Sequence, residues 1–314
     1  MVVRPEDTSP RAQPSSPRAQ AGPRAQAGPA AGGGRRTILV TGCSTGIGAY
    51  SARALHEAGW RVFATARRDA DLRALEADGL TALHLDYADP ASIEACAGAV
   101  LEATGGRLDA LFNNGAYSQP GAVEDLPVAA LREQFEANLF GWMDLTNRFV
   151  PAMRAAPPGP FGRGRIVHCS SILGLVPLRF RGAYNASKHA LEGLMLTQKL
   201  ELGGTGIHVS MIEPGPVRTH IALNAVAHAR RHVDVEGSVH RQDYAVRLAE
   251  LERGGSLANP RALGPEAVHR VLLHALEARR PRTHYLVTRE ARITAFLKRV
   301  LPERLYYAFL ARVS

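Results

Sequence analysis

Thr37-Ile38-Leu39-Val40-Thr41-Gly42-Cys43-Ser44-Thr45-Gly46-Ile47-Gly48 joins a short apolar run to a glycine-rich turn. The apolar run has the pattern of a buried strand, and the sequence beyond the glycines is helical over 46–58. Glycine at Gly42, Gly46 and Gly48 permits a tight turn, lets backbone amides approach a pyrophosphate and brings the helix close to the strand. The phosphates would sit at the positive N-terminus of that helix. Gly42, Ser44, Thr45, Gly46, Ile47 and Gly48 are therefore the candidate phosphate contacts. The spacing is Gly-x3-Gly-x-Gly rather than Gly-x-Gly-x-x-Gly, and glycines alone would also serve a plain turn. Their place directly after the first buried strand favours the dinucleotide reading.

Outward from this turn, short strands alternate with longer helices. Strands are expected at 61–66, 80–85, 108–112, 165–169, 207–212 and 283–287. Helices are expected near 46–58, 69–78, 127–153, 184–202 and 264–278, with another opening at Asp89-Pro90, an N-cap followed by a first-turn proline. Hydrophobic strands in this alternation imply an α/β fold with a parallel sheet covered on both faces. Right-handed crossovers make it doubly wound, with a ligand crevice at the C-terminal ends of the strands. The expected organisation is one domain over 36–290. A mobile helical lid lies about 220–260, and an amphipathic extension runs over 291–314.

Composition narrows the function classes. The 314 residues are 46% hydrophobic and 21% charged, which excludes a wholly disordered or fibrous chain. No run of eighteen apolar residues occurs, so no membrane-spanning helix is expected, and the N-terminus lacks the pattern of a secretory signal. Residues 1–35 repeat Pro-Arg-Ala-Gln three times and read as a disordered tail, because nothing there can bury an apolar face. Cys43, Cys96 and Cys169 are far apart and odd in number. That argues against a disulfide framework or a zinc site and fits a reducing, cytoplasmic setting. Of the net charge of +9, residues 1–36 carry +4, from six arginines against Glu6 and Asp7. The remainder is scattered as on an ordinary solvated surface, so no nucleic-acid partner is expected.

Only three of the 38 basic residues are lysines, Lys188, Lys199 and Lys298. Lys188 closes Tyr184-Asn185-Ala186-Ser187-Lys188, where tyrosine and lysine, four apart, share a helix face. A free phenol, with a pKa of ~10, is a poor proton donor or acceptor near neutrality. A nearby ammonium favours the phenolate and lowers that value toward the range useful in general acid–base catalysis. Lysine also offers a compact ammonium that can reach a ribose hydroxyl, which a guanidinium would not reproduce. Read alone, the pair would equally be a surface stack at helical spacing; the scarcity of lysine gives it weight. Just after the fifth strand, Ser171 stands where a hydroxyl faces the crevice and can polarise a carbonyl, although a serine capping a turn would look the same.

Together these motifs resemble the classical short-chain dehydrogenase/reductase family over 37–219, and more loosely beyond. The shared features are Thr-Gly-x3-Gly-Ile-Gly, Asn113-Asn114 after the fourth strand, a serine thirteen residues before the tyrosine, Tyr-x3-Lys, and Pro214-Gly215 followed by Thr219. The resemblance implies a Rossmann-type oxidoreductase that moves hydride between a nicotinamide cofactor and a carbonyl/alcohol pair. It implies a catalytic tetrad of Asn138, Ser171, Tyr184 and Lys188, with Asn138 holding a relay water, and substrate contacts at Ser171 and Tyr184. It further implies cofactor contacts at Asp86 and Tyr87, Asn113 and Gly115, and Pro214, Gly215, Val217 and Thr219, in addition to Tyr184 and Lys188. One departure is Asn113-Asn114-Gly115-Ala116, where the family usually has Asn-Asn-Ala-Gly.

At the end of the second strand an acidic residue would select NAD by binding the ribose 2′-hydroxyl. Here Ala64-Thr65-Ala66-Arg67-Arg68 holds no carboxylate before Asp69. Arg67 can offer a charge-assisted fork to a 2′-phosphate, and Arg68 either adds a second contact or points to solvent. NADP(H) is thus expected in preference to NAD(H), although Thr45 stands where many NADP-preferring relatives carry a basic residue. The opening is similar to the 17β-hydroxysteroid and retinol dehydrogenase branch, which implies a bulky apolar ketone or alcohol. The alternatives are a 3-oxoacyl-thioester reductase and a nucleotide-binding scaffold without turnover.

The family resemblance implies a homodimer or homotetramer paired through the helices at 127–153 and 184–202. Leu191, Leu194, Met195 and Leu202 look too numerous for exposure in a monomer. At the C-terminus, Ile293, Phe296, Leu297, Val300 and Leu301 fall at helical spacing among Arg292, Lys298 and Arg299. A helix packed across the substrate mouth or against a subunit is favoured there over a membrane-surface helix, and Pro302 interrupts the stretch.

Overall fold

A computed structural model describes residues 35–260 and 262–313; the tail expected at the N-terminus lies outside them, Arg35 apart. The strands are β1 (Thr37–Val40), β2 (Arg61–Ala66), β3 (Thr81–His84), β4 (Ala110–Asn113), β5 (Gly164–Cys169), β6 (Ile207–Glu213) and β7 (His284–Leu286). They form one sheet in the order β3-β2-β1-β4-β5-β6-β7, with every pair parallel. The chain winds from β1 outward to β3, then crosses back to β4 on the other side of β1. The crevice opens where these two directions part, at the C-terminal ends of β1 and β4.

The helices between strands are α1 (Gly46–Glu57), α2 (Asp69–Ala77), α3 (Pro90–Ala103), α4 (Val128–Phe135), α5 (Gly141–Ala155) and α6 (Gly182–Glu201). Every residue of β1, β4 and β5 is buried, as a sheet covered on both faces requires. Asp89 caps α3 by accepting from the Ala91 amide at 2.9 Å. Fully buried Trp142, Phe149, Phe63 and Phe112 anchor the main core.

Two expectations are corrected here. The long helix expected over 127–153 is two helices, α4 and α5, joined by a π-helical turn at Glu136–Phe140. The apolar periodicity runs through the turn, so the sequence does not display it. Tertiary contact enforces it: α5 begins at Gly141, where a Cβ would lie 2.3 Å from the Tyr87 carbonyl oxygen. The second correction concerns α6. Leu191, Met195 and Leu202 are buried in the chain's own core and Leu194 is half-buried against it, because that face of α6 lies on the sheet rather than toward a partner.

After β6 come α7 (Ile221–His232), α8 (Arg241–Glu252), α9 (Pro265–Glu277), α10 (Arg289–Val300) and α11 (Glu303–Val313). Helices α7 and α8 build small apolar clusters of their own, one of them joining Val233 and Tyr244 to Leu126, Phe180 and Ala183. The Tyr244 hydroxyl accepts from the Ala122 amide at 2.7 Å and donates to Asp125 at 2.8 Å. Among the described residues, no helix is long and apolar enough to cross a membrane.

Candidate active site

The crevice is built on a close approach of two loops. Gly42, at φ +67°, leaves only 2.4 Å between a would-be Cβ and Gly115 Cα, and a Cβ on Gly48 would stand 2.2 Å from the Gly42 oxygen. Positive φ and this contact both demand glycine. The swapped Gly115-Ala116 pair therefore places a glycine against Gly42. Thr41 Oγ gathers the surroundings: it donates to the Phe112 carbonyl and lies 2.8 Å from the Asn114 amide, 3.2 Å from the Gly115 amide and 2.8 Å from the Tyr87 hydroxyl. Thr45 occupies the N-cap of α1 without a side-chain cap bond, so the first amides of the helix stay open toward the crevice. A glycine cradle that any side chain would fill, beside an uncapped helix N-terminus, fits the pyrophosphate of a dinucleotide.

The far wall closes around the same point. Gly46 brings Thr219 within 3.1 Å of its would-be Cβ, and a Cβ on Gly215 would meet Thr288 Oγ1 at 2.3 Å. The Pro214 carbonyl accepts from the Ile172 amide at 2.9 Å, which ties the 214–219 segment, buried Val217 included, to the loop after Ser171. Asp86 accepts from the Ala88 amide at 3.0 Å through one carboxylate oxygen. Two expected cofactor residues are placed otherwise. The Tyr87 hydroxyl is committed to Thr41 and to Asn113 Oδ1 at 2.9 Å, and Asn113 Nδ2 donates to Thr146 at 2.9 Å. Both side chains are buried, so only their main chains remain for a ligand.

The two arginines after β2 part company. Arg68 forms a bidentate pair with Asp71, at 2.8 and 2.9 Å. Arg67 is exposed and makes no ion pair among the described residues, and its charge is felt across the crevice at Tyr117 and His228.

Ser171 follows β5 and caps the next turn, its oxygen accepting from the Leu173 amide at 3.1 Å. That leaves the hydroxyl proton free to donate, so capping and a role toward a carbonyl coexist. The Tyr184 hydroxyl, from the first turns of α6, meets the Ser171 side chain. Lys188 is buried one turn further along, donating to the Cys169 carbonyl at 3.0 Å and lying 4.2 Å over the Trp142 ring. Burial pushes the lysine down to about 8. The phenol is not lowered as expected. Burial, and then Cys169, hold it above its ordinary value, because the ammonium points at Cys169 and Trp142 and stands 5.8 Å from the phenol ring.

Asn138 sits in the π-helical turn, fully buried. Its side chain clasps the Tyr117 main chain, accepting from the amide at 3.2 Å and donating to the carbonyl at 2.9 Å. Sequence reasoning missed Trp142, Tyr117 and Glu192. Glu192 lies one turn beyond Lys188, buried beside the Ser170 hydroxyl and pushed up to about 7, first by burial and then by Glu213. Its negative form favours the charged form of Lys188. Its spacing of four from Lys188 was the available signal; nothing in the sequence brings Glu213 there.

Comparison with known proteins agrees with this geometry. The family model described as short chain dehydrogenase matches residues 36–230. An uncharacterized oxidoreductase of Escherichia coli K12, YbbO, is 36% identical over 270 residues, covering 86% of this chain and 92% of its own length. An NADPH-dependent 3-dehydrocapnine reductase of Ornithobacterium rhinotracheale is 26% identical, over 86% and 94% of the two chains. A short-chain dehydrogenase structure from Streptomyces avermitilis superposes with a TM-score of 0.70 at 28% identity, over 88% and 97%. The chain belongs to the short-chain dehydrogenase family. It is an NAD(P)-dependent oxidoreductase.

Proposed function

We propose that the protein interconverts a carbonyl and an alcohol, prefers NADP(H), and acts on a bulky apolar substrate. The observation that carries this reading is the placement of Ser171 just after β5 and of Tyr184 on the first turn of α6, their side chains within interaction range, with Lys188 one helical turn further along. When bound, the nicotinamide supplies or accepts the hydride. Ser171 donates to the carbonyl oxygen and places it beside Tyr184. Tyr184, kept neutral by burial, holds the proton that the oxygen needs as charge develops there. Lys188, held on the Cys169 carbonyl one turn below, keeps a positive charge at the floor of the crevice and would bind a ribose hydroxyl of the cofactor. The side chain of Asn138 is occupied by Tyr117, so a relay role falls to its main chain.

Support for NADP(H) comes from the unpaired Arg67 and from the relative that uses NADPH. Support for an apolar substrate comes from the half-buried Tyr117, whose main chain Asn138 holds and whose ring stacks on His228 of α7 at 4.1 Å. The test is turnover of NADPH with steroids, retinoids, acyl thioesters and simple ketones. Tyr184→Phe keeps the ring but removes the proton, and turnover should fall by at least ~10² with cofactor binding retained. Substantial activity in that variant would overturn the mechanism. Binding of cofactor without turnover of any carbonyl would favour the scaffold.

A further inference from the structure

Helix α10 presents an apolar stripe that nothing among the described residues covers. Ile293, Phe296 and Val300 on α10 are between 44% and 62% exposed. The three on α10 recur at the spacing of a single helix face. Arg289, Arg292 and Arg299 are exposed on the same helix, and Arg304 and Arg312 on the next. Over residues 289–312, six basic side chains stand against Glu290 and Glu303.

The other side of this pair is firmly attached. Leu297, Leu301, Tyr306, Phe309 and Leu310 pack with Ile172, Leu173, Leu175 and Val176, and the Lys298 ammonium donates to the Leu175 carbonyl. The helices are thus fixed to the loop that begins at Ser171, with the apolar stripe of α10 turned outward. An exposed apolar patch rimmed by polar groups marks a protein or membrane contact. Charge separates the two. A symmetric pair would set the same cationic surface against itself, whereas cationic residues beside an apolar stripe match anionic headgroups over acyl chains.

We propose that α10 docks reversibly on an anionic lipid bilayer, with Ile293, Phe296 and Val300 entering the interface and α11 holding it to the body of the protein. Pro302 is then no obstacle, because it lies beyond the end of the docking helix. Docking of this kind is independent of the substrate and of the catalytic assignment.

The test is flotation of the full chain with vesicles of phosphatidylcholine alone or mixed with phosphatidylglycerol, at low and high salt. Binding is expected to the mixed vesicles at low salt and to weaken at high salt as the charges are screened. Combining Ile293→Ser, Phe296→Ser and Val300→Ser should weaken binding by about tenfold or more, a loss of ~1.4 kcal/mol. These side chains are exposed, so thermal unfolding should be unchanged. Combining Arg292→Gln, Arg299→Gln and Arg304→Gln should remove the salt-sensitive part. No binding to the mixed vesicles, or equal binding by the serine variant, overturns the proposal. So does a serine variant that breaks an oligomer seen by light scattering, because the stripe would then belong to a second copy of the chain.

Discussion

Burying a lysine has a thermodynamic consequence that the active site exposes to measurement. Lys188 is pushed down to about 8 from 10.5, by burial first. Below pH 8 both folded and unfolded chains carry the proton, and the folded chain bears the full desolvation penalty. Between pH 8 and 10.5 the folded chain releases its proton first, so stability rises with pH. Lys188→Met should therefore stabilise the protein at pH 7 by up to about 3 kcal/mol while abolishing carbonyl turnover, and the gain should fade toward pH 10.5. Denaturant unfolding across this range checks it; a destabilised variant would mean that the Trp142 face and the Cys169 carbonyl outweigh desolvation. Arg67 offers a second measurement. Arg67→Ala should weaken NADPH ten- to a hundredfold more than NADH, ~1.4–2.8 kcal/mol, and less so at high salt. Arg68→Ala should do little, because Asp71 already holds that guanidinium. Titration by fluorescence decides, and equal losses for both cofactors would refute the preference. The spacing of Ser171, Tyr184 and Lys188 was legible in the sequence. The inward turn of Tyr87 and Asn113 was not, because side chains at a strand end alternate between faces and no local signal says which face the crevice claims.

At the scale of elements, the sheet was legible for a physical reason. Parallel strands covered on both faces are largely apolar, so β1 and the Ala110-Leu111-Phe112 stretch of β4 stand out as runs rather than as alternations. The π-helical turn left no such mark. Leu139, Trp142, Leu145 and Phe149 are all buried, and their spacing reads as one unbroken helix. The inserted turn arises from the hydrogen bonds of Asn138 to Tyr117 and the contact of Gly141 with Tyr87, both long-range. Such bulges recur where a helix must aim a functional residue. The apolar face of α6 carries the complementary lesson. Periodicity shows that Leu191, Met195 and Leu202 are covered, but not that their own sheet covers them.

For the whole molecule, a homodimer or homotetramer is expected, on different residues from those first read. Phe140 and Met143 at the head of α5, and Leu200 at the end of α6, are 49%, 37% and 79% exposed. With Val128, 61% exposed at the start of α4, these are the large apolar groups on the two long helical segments left uncovered among the described residues. Light scattering at micromolar concentration should give a multiple of the 33.8 kDa chain; the mass of a single chain would overturn the expectation.

The hydroxyl of Thr41 has a bearing on how fast and how tightly a nucleotide is exchanged. It links β1 to the turn after β4 and, through Tyr87, to the segment after β3. The width of the groove is therefore set during folding, by bonds that no ligand makes or breaks. A preorganised groove loses little conformational freedom when it fills. Discrimination is then left to groups at its margin, so Arg67→Ala is expected to shift cofactor choice while leaving the interior as it is.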